Sequence, residues 1–166
     1  MVNFDHPANR GIIAYLSGRT ERNTEQRAQA SPADIKDPYY TLGTHPEIVE
    51  RLWDDLGGVL PKDCKWVLYG SPVLVHHSSG VVFGFGGGTL TYALRLPMAE
   101  HAAALAAGAE TVYHYPAYPE LNIAASKLDL ARFGPEWVFG RWLKGEEEWC
   151  RAAFDFAGSR LESPRG

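Results

Sequence analysis

Residues 81–96 read VVFGFGGGTLTYALRL. Two readings compete for this stretch: a glycine loop that cradles a phosphate, or a corner between two strands. A dinucleotide fingerprint needs G-x-G-x-x-G between a strand and a helix, so that the pyrophosphate meets the helix N-terminus. Gly84 and Gly86 supply the first two glycines, but Thr89 stands at the third position. The next element decides the matter. Thr91–Leu96 alternates as a strand, with Tyr92, Leu94 and Leu96 on one face and Thr91, Ala93 and Arg95 on the other. No Gly-Lys-Ser/Thr follows, which excludes a Walker loop. The run is therefore a hairpin, its glycines supplying backbone freedom at the corner. Gly84, inside the first strand, marks a bulge or a close approach by another backbone.

Working outward, the pattern predicts strands over Trp66–Tyr69, Val73–His76, Val81–Phe85 and Thr91–Leu96. Gly-Ser-Pro, His-Ser-Ser-Gly and Gly-Gly-Gly connect them, all turn chemistry. Connectors this short force antiparallel pairing, because a parallel crossover needs about a dozen residues or more. Upstream, Thr44 and Glu47 have capping-box spacing before the apolar face Ile48, Val49, Leu52, Trp53 and Leu56, and Gly57-Gly58 stop that helix. Downstream, Pro97 opens a helix that Gly108 ends, and Thr111–Tyr115 reads as a further strand. Trp137–Trp142 reads as extended. A final helix covers about Glu146–Ala157, with Trp149, Cys150, Ala153, Phe154, Phe156 and Ala157 inward and Gly158 as its stop.

The first 44 residues differ in character. Asp5 and Pro7 start a short helix carrying Ile12, Ile13, Tyr15 and Leu16. From Ser17 to Ala33 no apolar side chain exceeds alanine, which reads as a mobile loop or a solvated helix. The expected organisation is an arm over 1–44, an α+β core over 45–158 and a frayed tail over 159–166. The expected core is an antiparallel meander of four to six strands with helices packed on one side.

Charge and composition narrow the function. The chain has 166 residues, 45% of them hydrophobic, and 16 Lys+Arg against 20 Asp+Glu give a net charge of −4. That balance lacks the basic footprint that nucleic-acid binding requires. No stretch has the length to span a bilayer, and the N-terminus has no basic segment before its short apolar run. A cytoplasmic protein is expected, without nucleic-acid or membrane partners. Cys64 and Cys150 are the only cysteines. They make no C-x-x-C pair and are expected as reduced core thiols.

His76 and His77 are adjacent, so on a strand they face opposite ways and do not share a metal. Neither Gly70-Ser71-Pro72 nor Ser78-Ser79-Gly80 builds a nucleophile elbow. Glu146–Glu148 is a solvated helix start. No cofactor, metal or catalytic residue is expected. The candidate binding residues are Tyr69, Arg95, His114, Tyr115, Tyr118, Trp137, Arg141 and Trp142. Rings with polar tips beside arginine and histidine are what interfaces and ligand pockets use. The competing account is that the rings cap a small sheet's core and that Arg95 lies on an exposed strand face.

The stretch VLVHHSSGVVFGFGGGTLTYALRLPMAEHAAALAAGAETVYHY, residues 73–115, resembles the amino-terminal domain of the TfoX family and the related YjbR-like fold. The likeness lies in its order: strand, tight turn, Phe- and Gly-rich strand, turn, an L-x-L strand, then a helix ending Ala-Ala-Gly. The resemblance implies an α+β fold and an association with competence regulation. It carries no active-site motif, and the 44-residue extension and the aromatic insertion at 116–142 depart from it. The functional expectation is a non-enzymatic domain that binds a protein partner, regulatory or toxin-neutralising (an immunity protein). The alternative is a small-molecule-binding protein or enzyme with a pocket lined by Tyr69, Arg95, His114, Tyr115 and Trp137.

Overall fold

The computed structural model describes residues 4–13, 30–32, 51–68, 71–87, 91–109, 136–140 and 146–159. The predicted strand Thr111–Tyr115, the helix start at Thr44 and the segment 116–135 lie outside them. Six strands form one sheet in chain order: β1 (Ala30–Pro32), β2 (Lys65–Leu68), β3 (Ser71–Val75), β4 (Val82–Gly87), β5 (Thr91–Arg95) and β6 (Trp137–Gly140). Every neighbouring pair is antiparallel. The two longer helices among the described residues are α1 (Met98–Ala106), after β5, and α2 (Glu146–Ser159), after β6. This is the expected α+β meander.

One edge corrects the polar-loop expectation for 17–33. Ala30, Ser31 and Pro32 pair with Leu68, Val67 and Trp66. An edge strand draws its stability from main-chain bonds and needs no large apolar side chains. Proline is tolerated there because one side of the strand has no ladder to complete.

The sheet buries both faces. On one lie Val67, Leu74, Phe83, Tyr92, Leu94 and Val138 against Trp149, Cys150, Ala153 and Ala157 of α2. A π-helical segment, Arg51–Leu56, joins this face through Leu52 and Trp53. Trp53 Nε1 donates to the Val73 carbonyl at 3.3 Å. Gly57 does not end this segment outright; the chain tightens into a 3₁₀ turn over Gly57–Val59.

The second face holds Val73, Val75, Val82, Phe85, Ala93, Trp137 and Phe139. Residues from the N-terminal segment cover it: Ile12 is buried there, with Phe4 and Ile13 packed alongside. The segment is capped by His6 rather than Asp5, its ring nitrogen Nδ1 accepting from the Ala8 amide at 3.0 Å. A 3₁₀ turn over Pro7–Asn9 then runs on as helix through residue 13. Asn9 is fully buried and latches the segment to the β3–β4 turn. Its Nδ2 donates to the carbonyls of Gly80 at 2.8 Å and Phe4 at 3.1 Å, and its Oδ1 accepts from the Val82 amide at 2.8 Å.

Gly84 explains itself in the register. Val73 pairs with Phe85 and Leu74 with Gly84, but Val75 pairs with Val82. Phe83 is therefore the extra residue of a bulge, and Gly84, one place on, stays in the ladder opposite Leu74 and Leu94. The bulge turns Phe83 and Gly84 toward the same helix-covered face. A Cβ on Gly84 would stand 3.2 Å from Leu74 Cδ1 and 3.2 Å from Leu94 Cδ2. The crowding comes from leucine side chains on both flanking strands; the nearest backbone atom is the Ala93 carbonyl oxygen at 3.4 Å.

The remaining punctuation divides. Gly108, at φ +112°, ends α1 with the paired bonds Gly108 N to the Leu105 carbonyl and Ala109 N to the Ala104 carbonyl. That is a Schellman closure. Gly158 does not end α2, which runs on to Ser159. It leaves room for His76, whose Nε2 would lie 2.4 Å from a Cβ at that position.

Candidate functional site

Of the eight candidate binding residues, Arg95 and Trp137 are described, and the register of β5 and β6 places them directly opposite each other. The Arg95 guanidinium carbon lies 5.0 Å from the Trp137 ring centroid, a cation–π stack. Phe85 supports the ring from β4, two strands away, at 5.6 Å between centroids. One guanidinium nitrogen donates to the Ala8 carbonyl at 2.7 Å, fixing the N-terminal segment over the pair. Arg95 Nε finds no hydrogen-bond partner among the described residues.

This overturns the exposed-face account of Arg95, which is only 4% exposed. The alternation had put Arg95 with Ala93 and away from Tyr92 and Leu94, and the clusters agree. What alternation lacked was the cover laid over that face from residues 4–13. Trp137 is 2% exposed and so offers no open ring to a partner. Burial pulls the Arg95 guanidinium down to about 10, while the Glu136 carboxylate opposes the change, so it remains charged at neutral pH. Tyr69, His114, Tyr115, Tyr118, Arg141 and Trp142 lie outside the described residues.

The opposite side of the molecule carries an open groove. Glu148, Arg151, Ala152 and Asp155 recur at helical spacing on the outer face of α2, and Val59 rises beside them from the 3₁₀ turn. Together they line a cavity of about 320 Å³. Val59 is 43% exposed, although most large apolar side chains of the described residues are buried.

A third constellation escaped the sequence reading. His76 and His77 do not face opposite ways, because β3 ends at Val75 and both residues belong to the turn beyond it. Their rings stack at 4.7 Å and 25°. His76 Nδ1 accepts from the Ser78 and Ser79 amides, at 3.1 and 3.3 Å, and Phe154 covers its ring at 4.6 Å. His77 lies across from the start of β2, where Asp63 and Cys64 sit. The signal was present in the hairpin: pairing Lys65 with Leu74 brings the residues just before Lys65 beside those just after Val75. Both cysteines are fully buried in the helix-side core, as expected of core thiols. Burial pushes the Cys64 thiol up to about 12, with the Asp63 carboxylate adding to the rise and a backbone hydrogen bond from His77 opposing it. Burial and then neighbouring Cys64 push Cys150 to about 12 as well.

Comparisons with models of protein families, with curated proteins and with solved structures give no match. The TfoX and YjbR-like resemblance thus rests on the sequence pattern alone. No helix among the described residues is long and apolar enough to cross a membrane.

Proposed function

We propose that the chain is a protein-interaction domain, regulatory or toxin-neutralising in kind, and that it engages its partner through the groove between Val59 and α2. The observation that supports this reading is the pairing of an exposed valine with a helix face that carries Glu148, Arg151 and Asp155 around a small central alanine. An apolar spot ringed by charge is the anatomy of a small interface, in which the apolar centre gives affinity and the rim sets orientation. Two carboxylates against one guanidinium, on a chain of net charge −4, favour a partner segment with a basic residue beside its apolar anchor. The cavity lies at the lower end of the roughly 300–1,000 Å³ used by small-molecule sites, which fits a docked side chain better than an enclosed ligand.

The test is capture from native lysate on the immobilised full chain, quantified against a Val59→Asp, Ala152→Arg double variant. Val59 is exposed and Ala152 half-buried on the outer face of α2, and circular dichroism checks that the variant keeps the fold. Partners recovered equally by wild type and variant would remove the groove from consideration.

A second reading, a small anionic ligand or substrate held near Tyr69, Arg95, His114, Tyr115 and Trp137, draws on one observation. A buried guanidinium with an unsatisfied Nε is costly and is the group a carboxylate or phosphate would satisfy. Thermal-shift titration with simple carboxylates and phosphates, wild type against Arg95→Met, tests it. A shift seen equally in both, or in neither, rejects this pocket.

A further inference from the structure

We propose that Asp63, Cys64 and His77 form a binding site for a divalent cation of the zinc class. A side-chain oxygen of Asp63, the sulfur of Cys64 and a ring nitrogen of His77 all lie within 4.8 Å of one another. Two separate pieces of chain supply them. Asp63 and Cys64 close the 3₁₀ turn Lys62–Cys64 before β2, and His77 follows β3 on the partner strand of the same hairpin. The site is thus anchored by a ladder that pairs Lys65 with Leu74 and Trp66 with Val73.

The spacing suits a tetrahedral ion. With metal–ligand bonds of about 2.0–2.3 Å, the ligand atoms of such a site stand roughly 3.4–3.6 Å apart. His77 Nδ1 and Asp63 Oδ1 are already 3.5 Å apart. Cys64 Sγ lies within 4.8 Å of the other two ligand atoms, so at most about 1.4 Å must close to complete the triangle. One sulfur, one imidazole nitrogen and one carboxylate oxygen form a mixed donor set that suits zinc or cobalt better than the all-oxygen sets of magnesium or calcium.

The burial gradient has a direction. Cys64 is fully buried, whereas the side chains of His77 and Asp63 are 37% and 64% exposed. An ion would enter from solvent between the last two and meet the thiol at the floor. Binding expels the thiol proton from Cys64. Three protein ligands leave a fourth position on the solvent side, for water or an incoming group. Neither nearby candidate fills it: His76 Nδ1 is held by the Ser78 and Ser79 amides, and Cys150 is not one of the clustered ligands.

The ordinary account is a core thiol next to a surface contact between His77 and Asp63, and cobalt spectroscopy separates the two. The full chain, stripped with chelator, is titrated with cobalt(II) and then challenged with zinc(II). The expected result is a thiolate-to-cobalt charge-transfer band with intense tetrahedral d–d bands, saturating at one ion per chain and erased by zinc. Cys64→Ser should abolish the charge-transfer band, while Cys150→Ser should leave it. Asp63→Asn and His77→Gln alter partly exposed side chains and keep the test valid even if Cys64→Ser fails to fold. Each should weaken binding by about tenfold or more, since even outer-shell changes cost that much. Absence of the band in wild type, its survival in Cys64→Ser, or unchanged affinity in both Asp63→Asn and His77→Gln overturns the site. The readout is independent of partner capture, so failure here leaves the groove reading untouched.

Discussion

Asn9→Ala is the sharpest test of how the second face of the sheet is held. Asn9 makes three hydrogen bonds, two of them to backbone groups of Gly80 and Val82, which are themselves buried. Alanine removes the donor from the Gly80 carbonyl and the acceptor from the Val82 amide. Each buried orphan costs about 1–3 kcal/mol, so the pair predicts a loss of about 4 kcal/mol, with Phe4 adding little because its carbonyl can turn to water. For a single domain of about 5–15 kcal/mol total stability, that is a large fraction. With a urea slope near 2 kcal/mol/M, the midpoint should fall by about 2 M. Asn9→Asp supplies a control of opposite design. It keeps an acceptor for Val82 but sets an oxygen against the Gly80 carbonyl and buries a charge, so at neutral pH it should be at least as harmful as alanine. Urea unfolding followed by tryptophan fluorescence gives both numbers. A loss under about 0.5 kcal/mol for Asn9→Ala, the size of an ordinary surface change, would show that residues 4–13 are only an appendage.

Other consequences follow from the same packing. Gly84→Ala should cost about 1 kcal/mol, and Gly84→Val several times more, because the new carbons press on Leu74 and Leu94 at 3.2 Å in a close-packed core; thermal unfolding measures both. Gly158→Ala should destabilise, although alanine is normally about 1 kcal/mol better than glycine within a helix, because its Cβ collides with the pinned ring of His76. In a His76→Ala background the same change should turn stabilising, and an unchanged sign in that double-mutant cycle refutes the contact. For Cys150 the native thiol keeps its proton to about 12 against an ordinary value of 9.0, so the unfolded state ionises first and the stability it contributes is lost as pH rises from 9 toward 12. Without added metal, wild type should lose about 1 kcal/mol more than Cys150→Ala between pH 9 and pH 10; equal slopes in urea melts at the two pH values count against it.

Much of the architecture was legible because its signals are local. The alternation of Thr91–Leu96, the short connectors and Gly108 each act within a few residues. They produced the meander, the strand faces and the helix stop now seen. What escaped depends on counting across strands. The bulge falls on Phe83 rather than Gly84 because the register with Val75 decides it, and no period along β4 contains that information. The strand at Ala30–Pro32 was illegible because its side chains carry no apolar signal; only its main chain matters. For the candidate sites, Arg95 and Trp137 were picked by chemistry and are now found in contact, but their burial depends on a cover contributed from Ala8 and Ile12. The cluster of Asp63, Cys64 and His77 was missed because the two histidines were weighed only against each other, on the geometry of a strand that ends at Val75.

The latch of Asn9 also sets an order of events at the ribosome. The contacts to Gly80, Val82 and Arg95 span 71, 73 and 87 positions, so this segment must wait for a seat made much later. The hairpins from Lys65 to Arg95 close short loops and need nothing from the N-terminus to pair, so they form early. Until then Phe4, Ile12 and Ile13 travel uncovered, and so do the Val82 and Phe85 surfaces they will meet. That interval is when the nascent chain is most prone to capture by chaperones or by its own copies. The last docking step closes it, making a single buried asparagine the catch that ends the vulnerable period.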